Sequence, residues 1–266
     1  MKYLCAHIFF LVAFTSSMPA QILQVDKSHL NSDSAGYFVC TSDLNFALDS
    51  RSVTPSENLI YTRLTSRTDL LYVSKKKAYI LVNSIDYFKS GNSQPFSTGY
   101  GHLRINFRRK HKISFETFAQ IQYDEIRRMR LRQLVGAGVR LTVVDKDLVD
   151  VHMGSGVMYE IEKWREVEGD PATDFKKWMP KSSSYIGIEF ILSNSSQLTI
   201  WGMHQVGYDS QDDLVRTRYA GEATLNFHIS RRMTWTTRCS YFYDVQPVIA
   251  IRNSYFQLTN GLQIKF

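Results

Sequence analysis

Cysteine and proline are scarce in this chain, with 3 of the first and 6 of the second among 266 residues. So few thiols exclude a disulfide-stapled scaffold. So little proline excludes collagen-like and proline-rich disordered chains. No uninterrupted apolar stretch reaches the roughly 20 residues that a membrane-spanning helix needs. Metal-ligand spacing is missing too: there is no Cys-x-x-Cys, no His-Glu-x-x-His, no acidic calcium loop and no glycine-rich phosphate loop. No cofactor is therefore expected. A net charge of +7 and a pI near 9.2 raise nucleic acid as a partner. The basic runs Lys75-Lys76-Lys77 and Arg108-Arg109-Lys110, however, fall in turns and form no continuous face interleaved with aromatics, so no nucleic-acid partner is expected. Aromatics are plentiful, with 15 Tyr and 16 Phe, a composition that favours strands.

Residues 1–20 carry the parts of a cleaved secretory signal peptide: Lys2, an apolar core from Tyr3 to Phe14, and small residues ending at Ala20. Residues 21–36 then read as a short periplasmic segment, and 37–266 as the folded unit. Two cysteines remain after cleavage, Cys40 and Cys239.

Period-two alternation dominates the mature chain. Ile113, Phe115, Ala119, Ile121 and Tyr123 alternate with Ser114, Glu116, Gln120, Gln122 and Asp124. Leu131, Val135, Ala137, Val139, Leu141 and Val143 alternate likewise with Arg132, Gly136, Gly138, Arg140 and Thr142. Twelve such segments are expected, near 37–48, 58–74, 77–90, 98–108, 112–126, 130–144, 148–163, 183–193, 197–209, 216–229, 233–245 and 253–266. Many exceed the usual five or six residues of soluble strands and suit the 9–11 of a strand tilted across a bilayer. Turns after even segments are short, and links after odd ones mostly longer. Transmembrane β-barrels sort their connections in this way, with short periplasmic turns and longer external loops.

The predicted fold is therefore an all-β, closed antiparallel transmembrane β-barrel of about 12 strands in the bacterial outer membrane. Closure follows because an open edge would leave unpaired backbone groups in hydrocarbon. The predicted inward set carries both signs: His102, Arg104, Arg108, Glu116, Asp124, Arg132, Arg140, Glu160, Glu162, Glu222 and Arg238. Such a lumen is either bridged by ion pairs or filled with water and solute. Cys40 and Cys239 lie two strands apart in a closed ring, near 10 Å, beyond the roughly 7 Å limit for a disulfide.

The last segment places Phe256, Leu258, Leu262, Ile264 and Phe266 on one face. Ending the chain on Phe in an alternating strand resembles the C-terminal signal that the barrel-assembly machinery reads in bacterial outer-membrane proteins. A second resemblance lies in the middle third. Gly136 and Gly138, a turn with Asp145 and Asp147, Gly154 and Gly156, and Tyr159-Glu160 resemble the salt-induced outer-membrane protein family, a domain-of-unknown-function group. That likeness implies an outer-membrane barrel with no assigned activity and no catalytic residues.

Three surface features remain. Arg127, Arg128 and Arg130 are placed at the outer rim, where they either pair with lipopolysaccharide phosphates by charge-assisted bonds or form a solvated hairpin. The stretch Trp164–Ser182, with Gly169 and Pro171, reads as the longest external loop and the place for any specificity. Tyr and Trp near segment ends, among them Tyr100, Tyr159, Trp164, Trp178, Tyr185, Trp235 and Tyr255, suggest interfacial girdles. The enzyme alternatives are a lipase at His228-Ile229-Ser230, which sits at the wrong end, and a protease at Asp209, Asp212 and Asp213. The latter three have only His204 nearby and read as solvated loop acids. The function reading is a structural or envelope-stress barrel with a charge-bridged lumen. A small-solute channel is the alternative, and a lipid hydrolase comes third.

Overall fold

A computed structural model describes residues 35–54, 57–91, 95–166 and 173–265. The expected signal peptide, most of the segment 21–36 and Phe266 lie outside them. Twelve strands follow in chain order: β1 (Tyr37–Thr54), β2 (Glu57–Val73), β3 (Lys77–Ser90), β4 (Phe96–Phe107), β5 (Ile113–Asp124), β6 (Met129–Lys146), β7 (Val149–Arg165), β8 (Asp174–Ser193), β9 (Ser196–Asp209), β10 (Leu214–His228), β11 (Met233–Asp244) and β12 (Ser254–Lys265). Each pairs antiparallel with its sequence neighbours, and β1 meets β12 to close the barrel. Among the described residues the closing ladder is short, registering Thr41 with Lys265 and Ser42 with Ile264.

The burial pattern is that of a soluble protein turned inside out. Val135, Val139, Val157, Ile200, Leu225, Phe227, Phe256 and Leu258 are exposed on the outer wall, while Glu116, Arg132, Glu160, Glu162, Arg218 and Glu222 are buried within. Side chains of successive strand residues point to opposite faces, so the alternation seen in the sequence becomes an apolar exterior around a polar interior. A smaller apolar sector lines the interior on β2 and β3, where Leu71, Val73, Ala78, Ile80 and Val82 pack with Tyr100.

All twelve expected segments are strands, and the departures concern their ends. β7 runs on to Arg165 and β8 begins at Asp174, so most of the expected 164–182 loop is barrel wall. Lys177, Met179 and Lys181 point inward from it, and Trp178 outward. The expected 49–57 link is likewise strand on both sides. Arg108 sits in the β4–β5 turn with φ 56° and is not a strand residue facing the lumen. The two cysteines are free, and both strands that carry them flank β12 as expected.

The glycines of β6 and β7 answer to crowding. A Cβ on Gly136 would stand 2.4 Å from Phe118 Cζ, and one on Gly154 would stand 2.3 Å from the Tyr185 ring. Aromatic side chains thus lie flat across strands that carry no side chain there. Gly156 is tighter still, because its Cβ would meet the Ala137 carbonyl oxygen at 2.3 Å. Backbone cannot swing aside as a flexible side chain can. Gly156→Ala is accordingly expected to lower the fraction that reaches the heat-modifiable folded form on gels, whereas Gly202→Ala, whose nearest contact would be 3.6 Å, should fold like the parent. Equal folding of both variants would contradict this packing.

Candidate functional site: a charge-bridged lumen

The interior divides into levels along the barrel axis. At the long-loop end, the segment 245–253 between β11 and β12 folds over the opening. Ile249 is buried against Met129 of β6 and Trp164 of β7. Its backbone is tied down by Arg216 Nη1 donating to the Gln246 carbonyl at 2.8 Å and by Val245 N donating to the Thr217 carbonyl at 3.0 Å. Beneath it, Arg216 donates from Nε to Asp209 at 2.7 Å, and Lys177 pairs with Asp209 and Asp212.

The next level is the densest. Arg218 of β10 donates to Glu162 of β7 at 2.7 Å and to Asp244 of β11 at 2.8 Å. The first of these spans two intervening strands and so crosses the bore. Glu160 receives Arg132 at Oε2 and Lys181 at Oε1. Arg132 also reaches Gln205 on β9 at 3.3 Å, a second crossing. Glu162 accepts from the Trp164 indole at 2.9 Å. Every carboxylate here has at least one cation, as buried charge requires.

Below lies a polar and aromatic chamber shared by Tyr100, Gln120, Trp201, Met203 and Gln205. Tyr185 stacks on Trp201 and donates across the lumen to Glu116 at 2.7 Å, while Arg104 pairs with Glu116 at 3.6 Å. His102 Nε2 and Arg104 Nε are buried here without a hydrogen-bond partner among the described residues. Lower still, Arg238 pairs with Glu222 at 3.2 Å.

Of the expected inward set, Arg104, Glu116, Arg132, Glu160, Glu162, Glu222 and Arg238 all join ion pairs. Asp124 is buried but serves the hairpin, accepting from the Arg127 backbone N at 2.9 Å. Arg140 is half-buried, its Nε without a hydrogen-bond partner among the described residues. Lys177, Lys181, Arg216, Arg218, Asp209 and Asp244 were not anticipated. For Arg216, Arg218 and Asp244 the signal was present, since they share strand parity with Glu222 or Arg238.

The outer-rim arginines depart from expectation. Arg127 turns inward, its guanidinium 4.8 Å from the Tyr255 ring centre and 5.1 Å from that of Phe242. Arg128 donates to the carbonyls of Glu166 and Ala250. Arg130 alone of the three is fully exposed. Of the aromatics expected in girdles, Tyr159, Trp178 and Trp235 are exposed on the outer wall, but Tyr100 and Trp164 are buried in the lumen and Tyr185 and Tyr255 line it or pack within it. Asp209 is not a solvated loop acid but fully buried, and His204 faces the other way, stacked on Tyr219. His228 Nδ1 bonds Thr234 at 2.9 Å and Ser230 Oγ accepts from the Met233 backbone at 3.1 Å, so these two make no nucleophile–base pair.

The comparisons with known proteins fit this geometry. A family model described as a protein of unknown function, DUF481, matches residues 60–248. No curated protein matches the chain. Among solved structures, an outer membrane channel from Pseudomonas putida F1 is similar at TM-score 0.56 and 10% identity, covering 91% of this chain and 100% of that one. A NanC porin structure is more distant, at TM-score 0.43 and 9% identity over 86% of this chain and 98% of the other. At such identities the first likeness speaks to fold alone.

Breaking a buried pair strands its partner, which costs about 3–5 kcal/mol. Arg218→Met, which strips Asp244 of its one ion-pair partner among the described residues and leaves Glu162 with Arg132 alone, is expected to lose stability of that order in urea unfolding of the detergent-solubilised barrel. Arg238→Met should lose much less, because the Arg238 side chain is 20% exposed and Glu222 keeps the Thr224 and Ser240 hydroxyls as donors. Similar losses for the two would contradict the bridged level.

Proposed function

We propose, for a chain that belongs to the DUF481 family of proteins of unknown function, an outer-membrane barrel whose resting lumen is closed by its own ion pairs and by the 245–253 segment. The observation that carries the reading is Arg218 reaching Glu162 across the bore. Supporting it are the apolar outer wall, which suits hydrocarbon, and the closed ring, which leaves no edge for lipid to meet. The Gly-x-Gly hairpin that resembles salt-induced outer-membrane proteins lies within the matched residues 60–248, and it favours an envelope role over catalysis. The barrel-assembly machinery would act on the outward face of β12, where Phe256, Leu258, Leu262 and Ile264 are exposed. Arg130 is the arginine left to meet lipopolysaccharide phosphates.

A channel is the second reading, favoured by the chamber under the bridged level and by the likeness in fold to the outer membrane channel from Pseudomonas putida F1. It would require the 245–253 segment and the Arg218 level to part. Planar-bilayer recording of the purified protein separates the two. A closed lumen gives no stable single-channel steps, and regular steps with the wild-type protein would replace this reading with the channel.

A further inference from the structure

Two basic runs that are separate in the sequence meet at the short-turn end of the barrel. Lys75, Lys76 and Lys77 close the β2–β3 hairpin, and residues 108–112 close the β4–β5 hairpin beside it. The two turns are tied together by Arg109, which is buried. It donates from Nε to the Ser74 carbonyl at 2.8 Å and from its backbone N to the Lys76 carbonyl at 3.4 Å. Around this tie Lys75, Lys76, Lys77, Arg108 and Lys112 are exposed, and none of the five forms an ion pair among the described residues. Neither run contains an acid. The next turn, between β6 and β7, carries Asp145 and Asp147 but also Lys146, too little negative charge to offset the cluster.

The outer wall beside these cations is apolar and open. Tyr72 of β2 and Ile113 and Phe115 of β5 are exposed there, and the Tyr79 ring of β3 lies 6.0 Å from that of Tyr72. Lys77 stands opposite Phe107 of β4 on the same face, its Nζ 5.1 Å from the ring centre. Like charges gathered this closely repel one another and favour a counter-charge from outside the chain. Tyrosines at strand ends suit the headgroup level of a bilayer, and clustered Lys and Arg beside a bilayer attract anionic headgroups. We infer that the linked β2–β3 and β4–β5 turns are a docking face for an anionic phospholipid, its phosphate held by Lys76, Lys77 and Arg108 and its acyl chain laid against Tyr79, Phe107 and Phe115. This rests on the membrane reading of the outer wall and not on the closed lumen, since a conducting barrel would present the same turns.

The test titrates purified full-length protein in detergent micelles with phosphatidylglycerol, phosphatidylcholine or hexaglutamate, and native mass spectrometry counts the molecules bound. The first phosphatidylglycerol is expected to bind roughly tenfold more tightly than the first phosphatidylcholine, which has a phosphate but no net charge. The triple variant Lys76→Gln, Lys77→Gln and Arg108→Gln should lose that preference while keeping the heat-modifiable mobility of the parent. Lys89→Gln, Lys163→Gln and Lys176→Gln together, the same charge change at the long-loop end, should keep it. Should the first triple variant fail to fold, Lys76→Gln and Arg108→Gln singly are each expected to weaken phosphatidylglycerol about fivefold and leave phosphatidylcholine unchanged. Equal affinity for the two lipids, a turn variant that keeps the preference, or a long-loop variant that loses it would overturn the proposal. So would hexaglutamate binding as tightly as phosphatidylglycerol, which would make the turns a face for an acidic protein. Lipid preference tests this docking face and conductance tests the closed lumen, so each can fail alone.

Discussion

A β-strand edge exposes a row of backbone donors and acceptors, and hydrocarbon has nothing to offer them. Closing twelve antiparallel strands into a ring removes both edges at once. Everything else follows from that ring. It separates two faces that alternate residue by residue, so one set of side chains is committed to the outside and the other to a confined interior. Twelve strands enclose more space than the filled eight-stranded case and less than an open porin. Side chains long enough to reach through it, Arg132, Arg218 and Tyr185 above all, meet partners three strands away around the ring.

The interior charges would be costly singly and are tolerable only as a connected set. Glu160 and Glu162 sit at the centre of that set, each fully buried and each held by more than one cation. The same requirement explains why the opening above is covered. Arg128 and Arg216, near that level, give their remaining donors to carbonyls of the covering segments, so cap and charge network hold each other. The short-turn half is built differently: its apolar sector packs on itself and on Tyr100, and a cavity lined by Arg231, Arg232 and Glu189 lies beside it. Among the described residues the lumen is thus built asymmetrically, with a covering segment at the long-loop end and none at the turn end.

Strand number, order and facing were legible in the sequence because alternation is strong wherever the lumen side is polar and the outer side apolar. The same code failed in β8. There the inward residues Lys177, Met179 and Lys181 alternate with Lys176, Trp178 and Pro180, mixing polar and apolar on both faces, and with proline and lysine present the stretch reads as a loop. Arg127 was misplaced for another reason. A turn residue has no parity, and only the fold shows that Phe242 and Tyr255 offer it two rings on the lumen side. The pairing of Arg218 with Glu162 was beyond sequence for a third reason: residues 56 apart in the chain meet only because the curvature of the ring turns the inner faces of β7 and β10 towards each other. Inwardness can be read from parity, but partnership across a bore cannot.

The central claim is a closed ring with lipid outside and a packed, dry level within, and neighbouring residues on β7 report both sides. Val157 is exposed on the outer wall, and Met158 is buried in the lumen beside Gln205. A spin label at each position, in protein reconstituted into bilayers, can be probed for collisions with oxygen, which partitions into lipid, and with a water-soluble nickel chelate. The label at 157 should collide freely with oxygen and hardly with nickel, and the label at 158 should be shielded from both. Strong nickel collisions at 158 would mean a water-filled bore, and strong nickel collisions at 157 would mean that the apolar wall does not face lipid at all.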